Sequence, residues 1–201
     1  MLILIEHMED RVSRWVLEEY LESSRVAEGA GMELIVTGVS SDYDYAVLSS
    51  RGVNVSREHS WELCDDPKTI VLDLWASRDL SPHEAMAGEC FVIGGIMGDH
   101  PPRGRGRLLT MHFDWAAFRR LGPRQLSVDG AVKVLTMLRG GVSLDRIEFV
   151  ESPTFRIDTG LGSVEVLLPF SYPVRDGKPW ISSGLLRLLA RGLEWDEAIP
   201  P

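Results

Sequence analysis

Long apolar runs are absent from this 201-residue chain. The N-terminal run of Met1 to Ile5 meets the carboxylate of Glu6 and falls far short of the ~18 residues that a membrane-spanning helix needs. We therefore interpret residues 2 to 5 as a strand. We expect neither a signal peptide nor contact with a membrane.

Cysteine is scarce as well. Cys64 and Cys90 are the only two in the chain, which is too few for a disulfide framework. Cys90 opens an apolar run, a position where a buried thiol is common. This use of cysteine predicts a reducing, cytoplasmic environment.

Positive charge is in deficit, because 21 Lys and Arg residues stand against 30 Asp and Glu residues and leave a formal net charge of −9. Nucleic-acid binding draws most of its affinity from Lys and Arg that neutralise phosphates. The charge therefore disfavours a large nucleic-acid footprint and suits a basic substrate better. The row Arg103, Arg105 and Arg107 keeps a local anion site open as an alternative.

Several standard motifs are missing. The chain has no GxxxxGK[ST] loop and no GxSxG elbow, and the glycines at 94, 95 and 98 do not form GxGxxG. His83-Glu84 is followed by Ala87 where an HExxH motif needs its second histidine. We therefore expect no P-loop, no ordinary dinucleotide fingerprint and no metal site, and Asp99-His100 is the only hint of a metal-dependent hydrolase.

The apolar residues fall in short runs, at 2–5, 34–36, 70–74 and 91–93. Clean alternation with polar residues is missing, which is typical of strands covered on both faces in a mostly parallel sheet. Helical patterns separate the runs, with Asp10 as the expected N-cap of the first helix and Ser127 as that of a helix at 128–139. Alternating strands and helices predict an α/β fold with one domain over residues 1–201.

The chain from about 150 to 201 forms an extension of different character. Runs at 154–158 and 163–168 flank a Gly160-Leu161-Gly162 turn and predict a hairpin. Leucines at helical spacing after Ser183 predict a final amphipathic helix.

The most unusual segment runs from the strand at 91–93 into Gly94, Gly95 and Gly98, and then into Asp-His-Pro-Pro-Arg. Glycines at the carboxyl end of a buried strand let a ligand approach the backbone, and ligands of open α/β sheets bind at such strand ends. A second candidate is the loop at 121–127, since the free N–H groups at the start of the following helix favour a polar partner. The alternatives are a tight turn with a solvated basic loop and a simple connection with an N-cap.

Several segments together match a known pattern. They are Ile5-Glu6-His7-Met8-Glu9, Trp15-Val16, Glu19-Tyr20, the block from Gly94 to Arg103, Leu121-Gly122 with Gln125, and the helix start from Asp129 to Val132. In these segments, which extend over nearly the whole chain, the protein resembles the archaeal and fungal branch of the SPOUT methyltransferases. Fungal members of this branch methylate an arginine of a small-subunit ribosomal protein, whereas archaeal members have generally been described as RNA methyltransferases.

The resemblance implies a mostly parallel α/β sheet with a deep trefoil knot, and a monomer or a homodimer formed through the knot. Two knot loops, at about 94–103 and about 121–131 in this sequence, would hold S-adenosylmethionine together with the strand end near Leu74. Arg103 would meet the methionine carboxylate of the cofactor. The implied cofactor-binding residues are Leu74, Gly94, Gly95, Ile96, Gly98, Arg103, Leu121, Gly122, Gln125, Leu126, Ser127 and Ala131.

An arginine substrate adds a chemical demand, because its guanidinium is charged at ordinary pH and a poor nucleophile until a carboxylate orients it and assists loss of a proton. We expect Glu6 and Asp99 to form this clamp, with His7 or His100 assisting.

Two other functions stay open. RNA methylation is the alternative suggested by the wider SPOUT class and by the arginine row. A cofactor-binding or ribosome-assembly protein without turnover is the other.

Overall fold

The computed structural model describes residues 1–64, 67–97, 104–158 and 163–191. Five parallel strands form the central sheet in the order β2-β1-β4-β3-β5. They are β1 (Leu2–His7), β2 (Glu33–Thr37), β3 (Thr69–Leu72), β4 (Cys90–Gly95) and β5 (Ala117–Arg119). The predicted α/β class with a mostly parallel sheet is confirmed, and β5 is the strand that the apolar pattern missed.

Helices lie between these strands. They are α1 (Arg14–Gly29), α2 (Asp42–Ser50), α3 (Ser60–Leu63), α4 (Pro82–Ala87), α5 (Gly106–Thr110) and α6 (Val128–Arg139). Ser127 caps α6 by accepting a hydrogen bond from the Gly130 backbone N–H, as the sequence predicted. The predicted cap of α1 was wrong, because the N-cap is Ser13 and not Asp10. Ser13 is in the extended conformation, and its hydroxyl accepts a hydrogen bond from the Val16 N–H.

The core lies on both faces of the sheet, because successive residues of a strand point in opposite directions. Ile3 and Ile5 of β1 belong to the larger core, which includes buried residues of α1 and α6. Leu4 faces the other way and packs in a second core with Leu109 of α5 and Phe113. Ile3, Leu4 and Ile5 all have no exposed surface, so β1 is buried from both sides.

The C-terminal region adds an antiparallel part. Its elements are β6 (Phe149–Glu151), β7 (Thr154–Asp158), β8 (Ser163–Leu167), β9 (Ser171–Arg175), β10 (Lys178–Pro179) and α7 (Ser183–Ala190). The pairing of β7 with β8 confirms the predicted hairpin, whose turn lies outside the described residues. Trp15 of α1 packs in a third core with Tyr172 and Leu185, which attaches this region to α1. In the described ranges no helix is long and apolar enough to cross a bilayer.

One expectation about cysteine was wrong. Cys64, just after α3, and Cys90, the first residue of β4, are joined by a disulfide, so Cys90 is not a buried thiol. The two residues are 26 positions apart in sequence and are brought together only when α3 packs near β4. Spacing in the sequence could not indicate that contact.

Glu84 of α4 binds Arg119 at the edge of the sheet, with the Nε and Nη2 atoms of Arg119 at 2.8 and 2.6 Å from one carboxylate oxygen. These hydrogen bonds lower the pKa of Glu84 from 4.5 to about 2. A depressed folded-state pKa contributes stability that is present above the unfolded value and lost as the pH falls through the folded value.

We therefore expect Glu84→Gln to lower the free energy of unfolding above pH ~4.5, with the difference from wild type shrinking as the pH falls toward ~2. Urea denaturation across this range measures it. Glu89→Gln is the matched control, because Glu89 pairs with Lys68 in an exposed bridge. A Glu84→Gln effect that stays constant between pH 6 and pH 2 would contradict the assignment.

Candidate functional site

A cavity opens at the carboxyl edge of the sheet, where β3, β4 and β5 end. Apolar side chains make up much of its wall, and Asp73, Arg105 and Arg124 bring charge to it. Its lining consists of Leu72, Asp73, Leu74, Trp75, Ile93, Gly94, Ile96, Gly104, Arg105, Gly106, Leu121, Gly122, Arg124, Gln125, Leu126, Ser127, Val128 and Ala131. Carboxyl ends of parallel strands are where ligands of open α/β sheets bind.

Three loops bring these residues together. They follow β3, β4 and β5, and the third runs directly into α6, so that Ser127 and the first turn of the helix form one wall. Gly122 has a φ of +83°, a left-handed conformation that only glycine adopts without strain, and it turns the third loop toward the cavity. The local sequence therefore dictates the direction of this loop.

Most of the expected cofactor residues meet in the cavity. The nine that line it are Leu74, Gly94, Ile96, Leu121, Gly122, Gln125, Leu126, Ser127 and Ala131. Gly98 and Arg103 lie outside the described residues. The structure thus brings the two predicted loops and the end of β3 to a single site.

Gly95 does not line the cavity. A Cβ atom built on Gly95 would point at α1, 2.5 Å from the Tyr20 hydroxyl and 2.7 Å from the carbonyl oxygen of Glu6. The α-carbon of Gly95 is packed against α1 and β1, because Gly94 and Gly95 are neighbours in a strand and face opposite sides of the sheet, so its cofactor contact stays a prediction.

Two arginines that line the cavity, Arg105 and Arg124, were not among the expected cofactor residues. The Arg124 guanidinium lies 4.0 Å from the centre of the Phe149 ring, and its Nε is buried with no hydrogen-bond partner among the described residues. A buried donor without a partner is costly, so this atom suits an anionic ligand group. Arg105 instead reaches Glu9, 3.1 Å away, and donates to the Met97 carbonyl.

The two described members of the arginine row, Arg105 and Arg107, take different partners. Arg105 is paired with Glu9, and the guanidinium of Arg107 lies over the ring of Trp75 at 5.4 Å. Arg103 lies outside the described residues. Charge that is already balanced contributes little to phosphate binding, which weakens the case for a nucleic-acid backbone at this loop.

A buried charged network supports the α6 wall of the cavity. Glu19 of α1 accepts hydrogen bonds from the Trp15 Nε1, at 2.7 Å, and from the Val128 N–H, at 3.2 Å. Burial, with the nearby Asp129 carboxylate, raises the pKa of Glu19 to about 8. Because Val128 lines the cavity, this hydrogen bond ties the position of the cavity wall to α1.

Glu6 is buried and hydrogen-bonded to other protein groups, whereas the expected clamp requires it to face the substrate. Its carboxylate is almost fully buried: Oε2 accepts from the Thr37 hydroxyl at 2.7 Å and the Ser60 N–H at 2.8 Å, and Oε1 lies 2.5 Å from Nδ1 of His59. A substrate guanidinium cannot contact Glu6 directly while His59 covers it. Asp99, its expected partner, lies outside the described residues.

His7 does not assist Glu6. Consecutive residues of β1 face opposite sides, and the His7 Nδ1 lies 2.8 Å from the Tyr20 hydroxyl on the α1 side. Burial lowers the pKa of His7, which keeps its ring neutral. His100, the other expected assistant, lies outside the described residues.

A stack of aromatic rings beside Glu6 was not predicted. The rings of His59 and Trp61 are 4.2 Å apart and nearly parallel, and the Trp61 and His112 rings are 3.8 Å apart with the same 9° tilt. No sequence motif connects the segment 59–61 with position 112. Among the described residues no group of three metal-binding side chains is arranged around a common point.

Comparison with known proteins gives a family and a relative for this sequence. The sequence matches the family described as "Protein arginine N-methyltransferase SFM1-like" over residues 2–195. It is 30% identical to the protein arginine N-methyltransferase SFM1 of Saccharomyces cerevisiae over 206 residues, which cover 94% of this chain and 93% of the yeast protein.

Solved structures are similar to this chain as well. The yeast arginine methyltransferase SFM1 complexed with SAM has a TM-score of 0.81 at 29% identity and covers 94% of this chain and 90% of its own. A dual-specific Trm10 from Thermococcus kodakaraensis, 17% identical with a TM-score of 0.55 over 72% of this chain and 96% of its own, shares the fold alone. By sequence and by structure, the chain belongs to the SFM1-like family of protein arginine N-methyltransferases.

Proposed function

We propose that this protein is an S-adenosylmethionine-dependent methyltransferase that modifies an arginine of a ribosomal protein. The observation that carries the proposal is the cavity at the carboxyl edge of the sheet, lined by nine of the residues implied by the family resemblance. The yeast relative, whose fold matches with a TM-score of 0.81, was solved in complex with SAM.

The cavity fits this cofactor chemically. Apolar walls such as Leu121 and Leu126 suit the adenine, and the glycine backbone at Gly94 and Gly122 allows close approach. The unpartnered Nε of Arg124 suits the methionine carboxylate, the role expected from the sequence for Arg103. When bound, the cofactor supplies an electrophilic methyl group, and the protein's task is to align the nucleophile and exclude water.

A ribosomal protein is the favoured substrate class because such proteins are basic and this chain carries a net charge of −9. RNA is less favoured, since Arg105 is already paired with Glu9. The proposal does not depend on Trm10, whose likeness extends only to the fold.

The test is incubation of purified small ribosomal subunits with the protein and methyl-tritiated S-adenosylmethionine. We expect label that is removed by protease, resists ribonuclease and elutes as methylarginine after acid hydrolysis. Label released by ribonuclease would favour RNA methylation instead. Cofactor binding without any transfer would support a non-catalytic role.

We propose in addition that the loops following β4 and β5 take part in a deep trefoil knot. Support comes from the SPOUT resemblance and from the TM-score of 0.81 with the yeast relative. Because true knots are very rare in proteins, the proposal rests on the family. An experimental trace that runs through residues 94–131 without threading would refute it.

A further inference from the structure

A carboxylate–imidazole pair lies one strand away from the cofactor cavity. Glu6 Oε1 and His59 Nδ1 are 2.5 Å apart, and the His59 side chain is 45% exposed whereas that of Glu6 is 3% exposed. Since Oε2 of Glu6 already accepts two hydrogen bonds, the contact through Oε1 favours the tautomer with the proton on Nδ1. Nε2 of His59 then carries a lone pair and can accept a proton.

The orientation of this imidazole is determined from several sides. Its ring stacks on Trp61 within 9° of parallel, and Trp61 in turn stacks on His112 and meets the edge of Phe113. Gly38 has a φ of +71°, and a Cβ atom there would collide with the Glu6 carboxylate and come within 3.0 Å of the His59 ring. A histidine that merely covers the surface does not need this support.

The pair also lies at the carboxyl edge of the sheet, where the cavity opens. Glu6 and Gly94 are register partners in the neighbouring strands β1 and β4, which run about 4.8 Å apart. Gly94 lines the cavity, and Leu109 of α5 packs on the same side of it. His112 follows α5, so the ring stack and the cavity share this helix as a border.

We infer that His59 accepts the proton that the substrate guanidinium loses during methyl transfer, and that Glu6 and Trp61 are positioning residues. This inference rests on the proposed function. As the guanidinium nitrogen forms its bond to the methyl carbon, the bond from that carbon to sulfur breaks and the sulfur keeps the electron pair. The N–H proton passes to Nε2 of His59, which becomes an imidazolium.

The substrate guanidinium and the His59 imidazole both suit this proton transfer. The guanidinium stays protonated up to about pH 12 and its nitrogens are poor nucleophiles, so a proton acceptor within reach assists the reaction. The imidazolium is stabilised by the Glu6 carboxylate, and the half-exposed ring returns the proton to water. Glu6 thus contributes through His59, which explains why a carboxylate at the end of β1 is buried and not open to substrate.

The first experiment replaces His59 and measures steady-state methylation of the ribosomal substrate. We expect His59→Gln to lower kcat by about 10²- to 10⁴-fold with little change in KM, which is the usual contribution of a general base. We expect added imidazole to restore part of the kcat of His59→Gly. His83→Gln is the matched control, since His83 is an exposed histidine of α4 that neither lines the cavity nor belongs to the ring stack; it should keep its kcat.

The second experiment uses Glu6→Gln, which is nearly isosteric. Its amide N–H₂ cannot accept from Nδ1, so we expect His59 to change to the Nε2–H tautomer and kcat to fall while KM is kept. Nitrogen-15 NMR of the His59 ring reports the tautomer without any substrate. A clamp that binds substrate directly through Glu6 would instead raise KM.

Three results would overturn the role of His59 or the proposed function. Wild-type kcat in His59→Gln, or an Nε2–H tautomer in the wild-type protein, would overturn the role of His59 while arginine methylation stands. An absence of arginine methylation by the wild type would overturn the proposed function and the inference with it. Calorimetric titration with S-adenosylhomocysteine shows that each variant is folded and still binds at the cofactor cavity.

Discussion

Replacement of Lys133 by methionine is expected to destabilise the folded protein by about 3–5 kcal/mol, the usual cost of leaving a buried charge without its partner. Lys133 has no exposed surface. Its Nζ lies 2.6 Å from Asp129 and 3.4 Å from Glu22, and donates to the Trp180 carbonyl at 2.9 Å. Methionine keeps an unbranched side chain close in length to the aliphatic stem of lysine, and removes the charged donor.

The damage would extend to the cavity, because the same residues hold several elements together. Glu22 belongs to α1, Lys133 and Asp129 to α6, and Trp180 to the segment before α7. Loss of the cation leaves two carboxylates without their shared partner in a buried interface, with the carboxyl group of Glu19 close by. The start of α6, which lines the cavity at Ser127 and Val128, is the part most directly affected.

Urea denaturation of wild type and Lys133→Met measures the loss. The double variant Lys133→Met/Asp129→Asn is the control, since it removes the closest carboxylate together with its cation. We expect it to be more stable than Lys133→Met alone, because the uncompensated charge of Asp129 is gone and the remaining carboxylate, that of Glu22, is also paired with Arg25. A double variant that is less stable than the single one would contradict the idea that buried charge causes the loss.

Substitution of Gly95 by alanine is the second large effect that we expect. The added methyl group would meet the Tyr20 hydroxyl at 2.5 Å and the backbone carbonyl of Glu6 at 2.7 Å. A carbonyl oxygen in a central strand cannot move away cheaply, so we expect a loss of stability at or above the roughly 1–3 kcal/mol typical of overpacked cores.

Gly94→Ala is the matched control, one position away on the other side of the strand. Its Cβ would find Ile96 at 3.4 Å, an ordinary contact, so stability should change little. Because Gly94 lines the cavity, this variant should instead bind cofactor about tenfold more weakly, or ~1.4 kcal/mol.

Thermal denaturation and calorimetric titration with S-adenosylhomocysteine separate the two effects. The folded fraction of Gly95→Ala should bind cofactor with an affinity close to that of wild type. If Gly95→Ala were as stable as wild type but lost cofactor binding, Gly95 would be a cofactor residue, as the sequence first suggested.

Much of the fold was predictable because local patterns dictate it. The runs at 34–36 and 91–93 are too apolar for anything but buried strands. Ser127, with the apolar spacing after it, predicted the helix at 128–139, which is the range of α6. The weak points were short elements. β5 has three residues, all only half-buried, and carries no periodic signal that a reader could detect.

The cofactor cavity could be predicted for the same reason, since glycines at strand ends and a capped helix are local features. Arg124 could have been recognised from its place in the loop before Ser127. The sequence could not indicate that its Nε is buried without a partner, because only the packing of Phe149 against Arg124 removes that atom from water.

The sequence by itself determined the parallel α/β sheet, the loops that line the cavity and, through family resemblance, the chemistry. The tertiary structure alone decided which side of the sheet each residue serves: it turned Gly95 to α1, separated His7 from Glu6, and brought His59 to Glu6 across 53 positions of sequence. The reason is physical. Strand and helix signals repeat within a few residues, whereas a hydrogen bond between distant side chains exists only once the strands that carry them have paired.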